Sequence, residues 1–359
     1  MALGVVRRIN ERVFPRHLAF GPTHIVLGVN NFCNLHCRMC DVGTGNDETN
    51  FGANLVGAKT RSMPIELYRR IVDEIVAYCP HAHLGFAFTE PLAWAPLGEA
   101  LRYARTKGLY ASVTTNGLLL PRRAAEIAGH CQSLSVSLDG PEAVHDHIRR
   151  HKGSFAKAVA VIEAVATLAP QPEISVYCTI SEWNIGTLRQ FLRDLRHLPL
   201  KRVGLLHNNF VTNAQAHEHN RLYDGDLHAT PSNIFESDLQ KIDLVHLSAE
   251  LTDIIADTYP FSLLVQPALV ARKDLEIYYR NPDVPMGRRC HDVHRILMID
   301  ADGEVIPAHG RCFRFPIANI RNHSLREVWH HPKLSSLRET LRDAGGLLPA
   351  CSRCCSGFG

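Results

Sequence analysis

The sequence predicts an α/β protein: a partial (β/α)6 barrel followed by a small unit built from one β-hairpin and helices. Three observations carry that prediction. Strand-like and helix-like segments alternate from His24 to Leu206, the pattern of βα units around a parallel sheet. About six units fit before the rhythm breaks, too few to close an eight-fold barrel, so the barrel is partial and TIM-like. From Cys290 onward the alternation gives way to a hairpin, two helical segments and five of the 11 cysteines.

The elements follow in order. His24 to Val29 is a short β-prone run that delivers the chain into a cysteine-rich loop. Pro64 to Cys79 carries Ile65, Tyr68, Ile71, Ile75 and Cys79 at helical spacing, with Pro64 suited to a first turn. Strand His83–Phe88, a helix over Leu97–Thr106, strand Tyr110–Thr115 and a helix from Pro121 continue the pattern. Then come strand Ser133–Leu138, helix Ser154–Thr167, strand Glu173–Ile180, helix Ile185–Leu195 and strand Arg202–Leu206. Residues 207–285 read as loop in their Asn- and Gly-rich first half, with helical segments from Ser237 and Ser248. Arg295–Ile299 and Glu304–Ile306 flank Asp300-Ala-Asp-Gly303, a β-hairpin. Helices from Ser324 through His330 and over Leu334–Arg342 lead to the last cysteines.

Four regions result: an N-terminal extension over 1–22, the partial barrel over 23–210, a linker and substrate-capping segment over 211–285, and a cysteine-bearing unit over 286–359. A hydrophobic fraction of 45% permits a sizeable core. The net charge of +3, without a basic run, gives no sign of nucleic-acid binding. No stretch approaches the roughly 18 apolar residues of a membrane span, and an odd cysteine count argues against a paired secreted framework. The expected location is cytoplasmic, with thiols kept reduced. The first twenty residues, with Arg7, Arg8, Arg12 and Arg16 between apolar positions, suit a helix over the domain's own end or one lying on a membrane surface.

Asn31-Phe-Cys-Asn-Leu-His-Cys-Arg-Met-Cys-Asp41 sets Cys33, Cys37 and Cys40 at C-x3-C-x2-C spacing. Three thiolates on one short loop can cap three irons of a cubane and leave the fourth open. Structural zinc, which wants four closed ligands, and unligated core cysteines are the alternatives. The spacing resembles the signature of the radical S-adenosylmethionine (radical SAM) superfamily, with Met39 in the place of the usual aromatic. Thr89-Glu90-Pro91 is similar to the family's Gly-Glu-Pro element, Thr115-Asn-Gly117 ends the next strand, and Ser135-Val-Ser-Leu-Asp-Gly140 with His145-Asp-His-Ile-Arg149 resembles its ribose and carboxylate element. The resemblance implies a redox-active [4Fe–4S] cluster on the three cysteines and S-adenosyl-L-methionine held by Thr89, Glu90, Pro91, Asn116, Ser137 and Arg149. It also implies adenine against the backbone near Cys178 to Ile180, and a flavodoxin- or ferredoxin-type electron donor.

Cys290, Cys312, Cys351, Cys354 and Cys355 surround the hairpin and the final C-x2-C. Their order resembles the SPASM/twitch half of such enzymes, supported by Gly303-Glu-Val-Ile-Pro307, Ile317-Ala-Asn-Ile320 and Leu325-Arg-Glu-Val-Trp329. One auxiliary [4Fe–4S] cluster is implied, on Cys290, Cys312, Cys351 and Cys354, with Cys355 an alternative to Cys354. Ala308 stands where the family pattern has a cysteine, and Cys312 is the available substitute. A structural zinc module on the same thiolates is the competing reading. Asp300, Asp302 and Glu304 do not form a calcium loop, because Arg311 occupies the twelfth position.

Cys79 and Cys131 read as core packing. Cys178, at a strand end, is a candidate hydrogen-atom donor or a packing residue, and Cys355 is a comparable donor candidate. His207, Asn209, His217, His219 and His228 are candidates for substrate binding or proton removal, or are solvated loop residues. The expected activity is hydrogen abstraction for oxidation of a small molecule, the auxiliary cluster accepting an electron. Epimerisation, peptide maturation or crosslinking, and a non-enzymatic zinc or iron–sulfur scaffold are the alternatives.

Overall fold

The structure is a computed structural model that describes all residues except 1, 15, 17, 58, 224 and 359. One sheet organises it, in the order β10-β9-β8-β1-β2-β3-β4-β5-β6-β7. The barrel strands are β1 (His24–Leu27), β2 (His83–Phe86), β3 (Ala111–Thr115), β4 (Ser133–Ser137), β5 (Glu173–Ile180), β6 (Arg202–His207) and β7 (Ser262–Gln266). All run parallel, from His24 against His83 to Leu206 against Gln266. The sheet does not close. Its other side continues into the hairpin β8 (Ile296–Ile299) and β9 (Glu304–Pro307), then the short β10 (Ala318–Asn319). β8 pairs in parallel with β1, Leu27 opposite Ile299, so the cysteine-bearing hairpin lies directly beside the strand that enters the first cysteine loop.

The helices are α1 (Ala2–Val13), α2 (Asp41–Thr44), α3 (Asn50–Leu55), α4 (Ile65–Tyr78), α5 (Leu97–Thr106), α6 (Leu120–His130) and α7 (Glu142–Arg149). They continue with α8 (Ser154–Ala166), α9 (Leu188–Asp194), α10 (Asn213–Leu222), α11 (Leu244–Ala256), α12 (Arg272–Arg280), α13 (Leu325–Trp329) and α14 (Pro332–Asp343). α4 turns Leu67, Tyr68, Ile71, Val72 and Ile75 inward, close to the face its sequence spacing marks, and burial of each such side chain is worth about 1.5–3 kcal/mol.

Several elements escape the sequence pattern, α10, α7 and β7 among them. α10 falls in a stretch whose asparagines suggest loop, yet Thr212 and Gln215 form a reciprocal capping box that starts it. α7 follows Pro141 inside the segment that resembles the ribose and carboxylate element, for which no helix was expected. β7 is a five-residue run whose partner, β6, lies far back in the chain. The helix expected from Ser248 begins earlier, because the Asp243 side chain accepts from the N–H groups of Val245 and His246.

α1 covers one end of the molecule. Glu11 is buried between Arg289 (3.5 Å) and Arg295 (3.3 Å), whereas Val6, Ile9, Val13 and Phe14 face outward. The side chains of Arg8 and Arg12 lie outside the described residues. Among the described residues no helix is long and apolar enough to cross a membrane.

Trp329 locks α13 onto the core. It is fully buried, donates its indole N–H to Phe20 O (2.9 Å) and lies under the Arg338 guanidinium at 4.3 Å. Trp329→Ala is expected to cost about 3–5 kcal/mol, read as the denaturation midpoint of anaerobic protein, whereas Phe235→Ala, at 67% exposed, should change it little.

Candidate metal centre and cofactor site

The loop between β1 and α2 holds Cys33, Cys37 and Cys40. Leu35, Cys37 and Met39 pack with Ile148, and Cys33, Cys40, Leu118 and Trp183 close over them. Backbone bonds fix the turn: Arg38 N–H donates to Ile148 O (3.0 Å) and Cys40 N–H to Cys37 O (3.3 Å). α2 lies so close behind the loop that a Cβ on Gly43 would meet Cys37 N at 2.5 Å, so only glycine fits there. Burial pushes the Cys37 thiol up to about 12, against the opposing pull of Arg149, and burial likewise raises Cys33.

Beneath the loop, the ends of β2 and β3 converge on Glu90. Phe88, at φ +83°, turns the chain out of the sheet in a conformation rare for a non-glycine residue. Glu90 is fully buried and each carboxylate oxygen is used: Oε1 accepts from Leu92 N–H (3.0 Å) and Thr115 Oγ1 (2.8 Å), Oε2 from Asn116 N–H (2.9 Å). Burial raises its pKa, and those three donors oppose the shift. Its backbone N–H donates to Phe32 O (3.1 Å) and its carbonyl accepts from Asn30 Nδ2 (3.0 Å). Thr89 Oγ1 reaches Asn30 O and Oδ1 (2.9 Å each), and Pro91 opens a single 3-10 turn over Pro91–Ala93. Asn116 Nδ2 donates to Asn34 Oδ1 (2.8 Å) and lies 4.0 Å from Cys33 Sγ. Gly117, at φ +82°, leaves room for Ala158, whose Cβ a side chain on this residue would meet at 2.8 Å.

Ser137 ends β4 opposite Tyr177. Two residues on, Asp139 anchors the next layer. Arg149 donates to its Oδ2 from Nε and Nη2, each at 2.6 Å, and Thr179 N–H donates to Oδ1 (2.9 Å). Burial works against the Arg149 charge, but Asp139 and the nearby Cys37 outweigh it and hold the guanidinium firmly protonated. Two of its five donors are thus committed to Asp139. Cys178 is fully buried on β5, with Asn184 Nδ2 3.6 Å from its sulfur.

The second group of cysteines lies beside the hairpin. Cys290, Cys312, Cys351 and Cys354 line one cavity of about 70 Å³, together with Asn209, His309 and Arg311. Burial raises the thiols of Cys290, Cys312 and Cys351, the last two to about 12. His309, Cys354 and Cys355 form a trio whose ligand atoms lie within 4.8 Å of one another. The Arg311 guanidinium stacks on Phe51 at 4.3 Å, and its Nη1 is buried without a hydrogen-bond partner at this cavity. Four soft thiols converging on one cavity, with a buried cation at its wall, fit an anionic iron–sulfur cluster.

His309 is the residue that sequence reading missed. Its one signal is negative: Ala308, where a cysteine was expected, directly precedes it.

The loop histidines divide. His207 is buried, its Nδ1 bonded to Tyr279 OH (2.8 Å) and its Nε2 to Leu269 O (2.9 Å), so both nitrogens are spent inside the core. His219 stacks on Phe313 at 4.9 Å and bonds Leu227 O (2.7 Å). His217 and His228 are exposed. Of the five candidates in this stretch, Asn209 alone lines the cysteine cavity.

Two family descriptions match the chain: Radical SAM superfamily over residues 27–195 and iron–sulfur cluster-binding domain (SPASM) over residues 290–355. The first implies a [4Fe–4S] cluster with S-adenosylmethionine, the second auxiliary iron–sulfur binding. The chain is 25% identical over 268 residues to the PqqA peptide cyclase of Methylocella silvestris, covering 72% of this chain and 64% of that one. It is 28% identical over 137 residues to the Fe-coproporphyrin III synthase of Methanosarcina barkeri, covering 38% and 32%. The chain thus spans less than two thirds of either relative. Among solved structures, Streptococcus suis SuiB bound to precursor peptide SuiA superposes with a TM-score of 0.62 at 13% identity, covering 94% of this chain and 71% of that one. At that identity the likeness shows the fold.

Burial lowers both His145 and His207 to about 4. The unfolded chain takes up protons near pH 6.5 that the folded rings refuse until about pH 4, so their contribution to stability is intact above 6.5 and is lost as pH falls through this window. Denaturation midpoints measured from pH 7 to 4 should fall, and His207→Asn should flatten the slope; an unchanged slope would contradict the burial of a neutral His207.

Proposed function

We propose that this chain, a member of the radical SAM superfamily with a SPASM domain over residues 290–355, oxidises a peptide substrate by two electrons. The observation that carries the oxidation reading is the set of four thiols around one cavity. A cluster closed by four thiolates has no open iron for substrate and suits electron acceptance. One auxiliary [4Fe–4S] cluster on Cys290, Cys312, Cys351 and Cys354 accounts for that set, with Cys355 left over. The peptide reading rests on the relatives, a PqqA peptide cyclase and SuiB with its precursor peptide. Oxidation of a small molecule is the second reading, favoured by the Fe-coproporphyrin III synthase.

When bound, the first cluster supplies the electron that cleaves S-adenosylmethionine and so yields the 5′-deoxyadenosyl radical that takes a hydrogen atom from substrate. Cys33, Cys37 and Cys40 would hold that cluster and, supplying only three thiolates, would leave it able to take S-adenosylmethionine. Thr89, Glu90 and Pro91 receive the amino group, Asn116 closes the turn beside Cys33, and Ser137 meets the ribose. Arg149 offers the donors not used by Asp139 to the carboxylate. The packed loop excludes water from the radical's surroundings. A flavodoxin- or ferredoxin-type protein in a reducing compartment supplies the electron.

Glu90→Ala leaves three buried donors without an acceptor and is expected to weaken S-adenosylmethionine binding by roughly tenfold or more, measured by equilibrium dialysis on cluster-loaded protein. Unchanged binding would remove Glu90 from the site. Product analysis tests the reaction. Anaerobic full-length chain, given S-adenosylmethionine, a reductant and the peptides encoded beside its gene, is expected to release 5′-deoxyadenosine and a peptide lighter by about 2 Da, the loss of two hydrogens. Deuterium uptake from heavy water with no mass loss, abolished by Cys178→Ala or Cys355→Ala, would instead mean epimerisation.

A further inference from the structure

His309 occupies an unusual place. β9 ends at Pro307, and Ala308 follows at φ +61°, a left-handed conformation that costs a residue with a Cβ and persists only where its surroundings enforce it. The turn brings His309 into the cavity that Cys290, Cys312, Cys351 and Cys354 line. Its ring is held at Nδ1 by the Arg311 backbone N–H, which donates at 3.2 Å, and its backbone carbonyl accepts from Cys312 N–H at 2.9 Å.

The first of those bonds fixes the tautomer. A neutral imidazole whose Nδ1 accepts a hydrogen bond carries its proton on Nε2. Nε2 faces Cys354 Sγ at 3.4 Å and Ser356 Oγ at 3.2 Å. Ser356 spends its own proton on the Asp292 carboxylate, so toward the ring it is an acceptor. The imidazole is therefore oriented as a donor, its one Nε2–H shared between Ser356 Oγ and Cys354 Sγ and no lone pair directed at the sulfur. That rules against iron ligation by Nε2 and in favour of a hydrogen bond to a ligand's sulfur.

We propose that His309 donates its Nε2–H to Cys354 Sγ and so raises the reduction potential of the auxiliary cluster, a positioning residue made possible by Ala308 in the place of a cysteine. The inference rests on the reading of Cys290, Cys312, Cys351 and Cys354 as that cluster's ligands. The physical reason is that a hydrogen bond to a cluster thiolate favours the more negative, reduced state. An acceptor tuned upward in this way takes the one electron from the substrate radical more readily.

The test uses the full chain carrying Cys33→Ala, Cys37→Ala and Cys40→Ala, reconstituted anaerobically with iron and sulfide so that the auxiliary cluster is observed alone. Iron at about four per chain supports the ligand reading; its absence would sink that reading and this proposal with it. On the loaded protein, spectroelectrochemical titration should give a more negative midpoint for His309→Leu, with part of the shift restored by His309→Gln. Electron–nuclear double resonance of the reduced cluster should show an exchangeable proton, lost in heavy water, and only a weak coupling to 15N-labelled histidine. That second measurement needs no variant and stands if His309→Leu fails to hold the cluster. An unchanged midpoint, no exchangeable proton, or the strong coupling of a directly bonded nitrogen would overturn the proposal while the iron content left the ligand set in place.

Discussion

A buried carboxylate ties the first cysteine loop to the parallel sheet. Glu90 sits at the carboxyl ends of β2 and β3, with both oxygens taken up by donors of Leu92, Thr115 and Asn116 and its peptide group bonded to Phe32 and Asn30 of the cysteine loop. Burying such a charge is costly unless it is fully hydrogen-bonded, and here each donor is itself fixed by a strand end or a turn. Glu90 thus ties the cysteine loop to the ends of β2 and β3. Asp139 repeats the device a strand pair away, where it orients Arg149 toward Cys37. This edge of the sheet is thus built on two buried carboxylates with their oxygens taken up by donors, one after β2 and one after β4.

The two cysteine groups are joined by a short stretch of chain. The segment after Cys40 folds into α2 and α3. Phe51 and Leu55 of α3 pack with Met298 and Ile306 of the hairpin, while Cys40, Val42 and Phe88 close the same small cluster. Asn54 then donates to the carbonyls of Gly310 and Cys312, and the Phe88 ring lies 6.3 Å from His309. The segment that leaves the first cysteine loop therefore also braces the second site. Because β8 adds to β1 in the same sheet, the two sites share one rigid support.

Much of this was legible beforehand, for physical reasons that differ by element. Strands β1–β6 announce themselves through short apolar runs between helices at 3.6 spacing, and the three-cysteine loop through a spacing that few chemistries demand. Non-local pairing was not legible. Nothing in Ile296–Ile299 says that its partner is His24–Leu27, some 270 residues earlier. Nor does composition show that Asp139, readable as a turn residue before Gly140, takes up the guanidinium of Arg149. His207 illustrates the converse: it resembles a base in sequence, yet Tyr279 and Leu269 consume both its nitrogens. His309 carried no periodic signal at all, since its position depends on a single left-handed residue before it.

The central claim is that Cys33, Cys37 and Cys40 would hold a cluster able to take S-adenosylmethionine beside Glu90 and Arg149. Electron paramagnetic resonance on protein carrying Cys290→Ala and Cys312→Ala, reduced anaerobically so that the first cluster alone contributes, tests it most directly. The account predicts a signal that changes shape when S-adenosylmethionine is added, with coupling to a labelled amino nitrogen of its methionine moiety. A signal indifferent to S-adenosylmethionine, or one that survives conversion of all three loop cysteines to alanine, would contradict it.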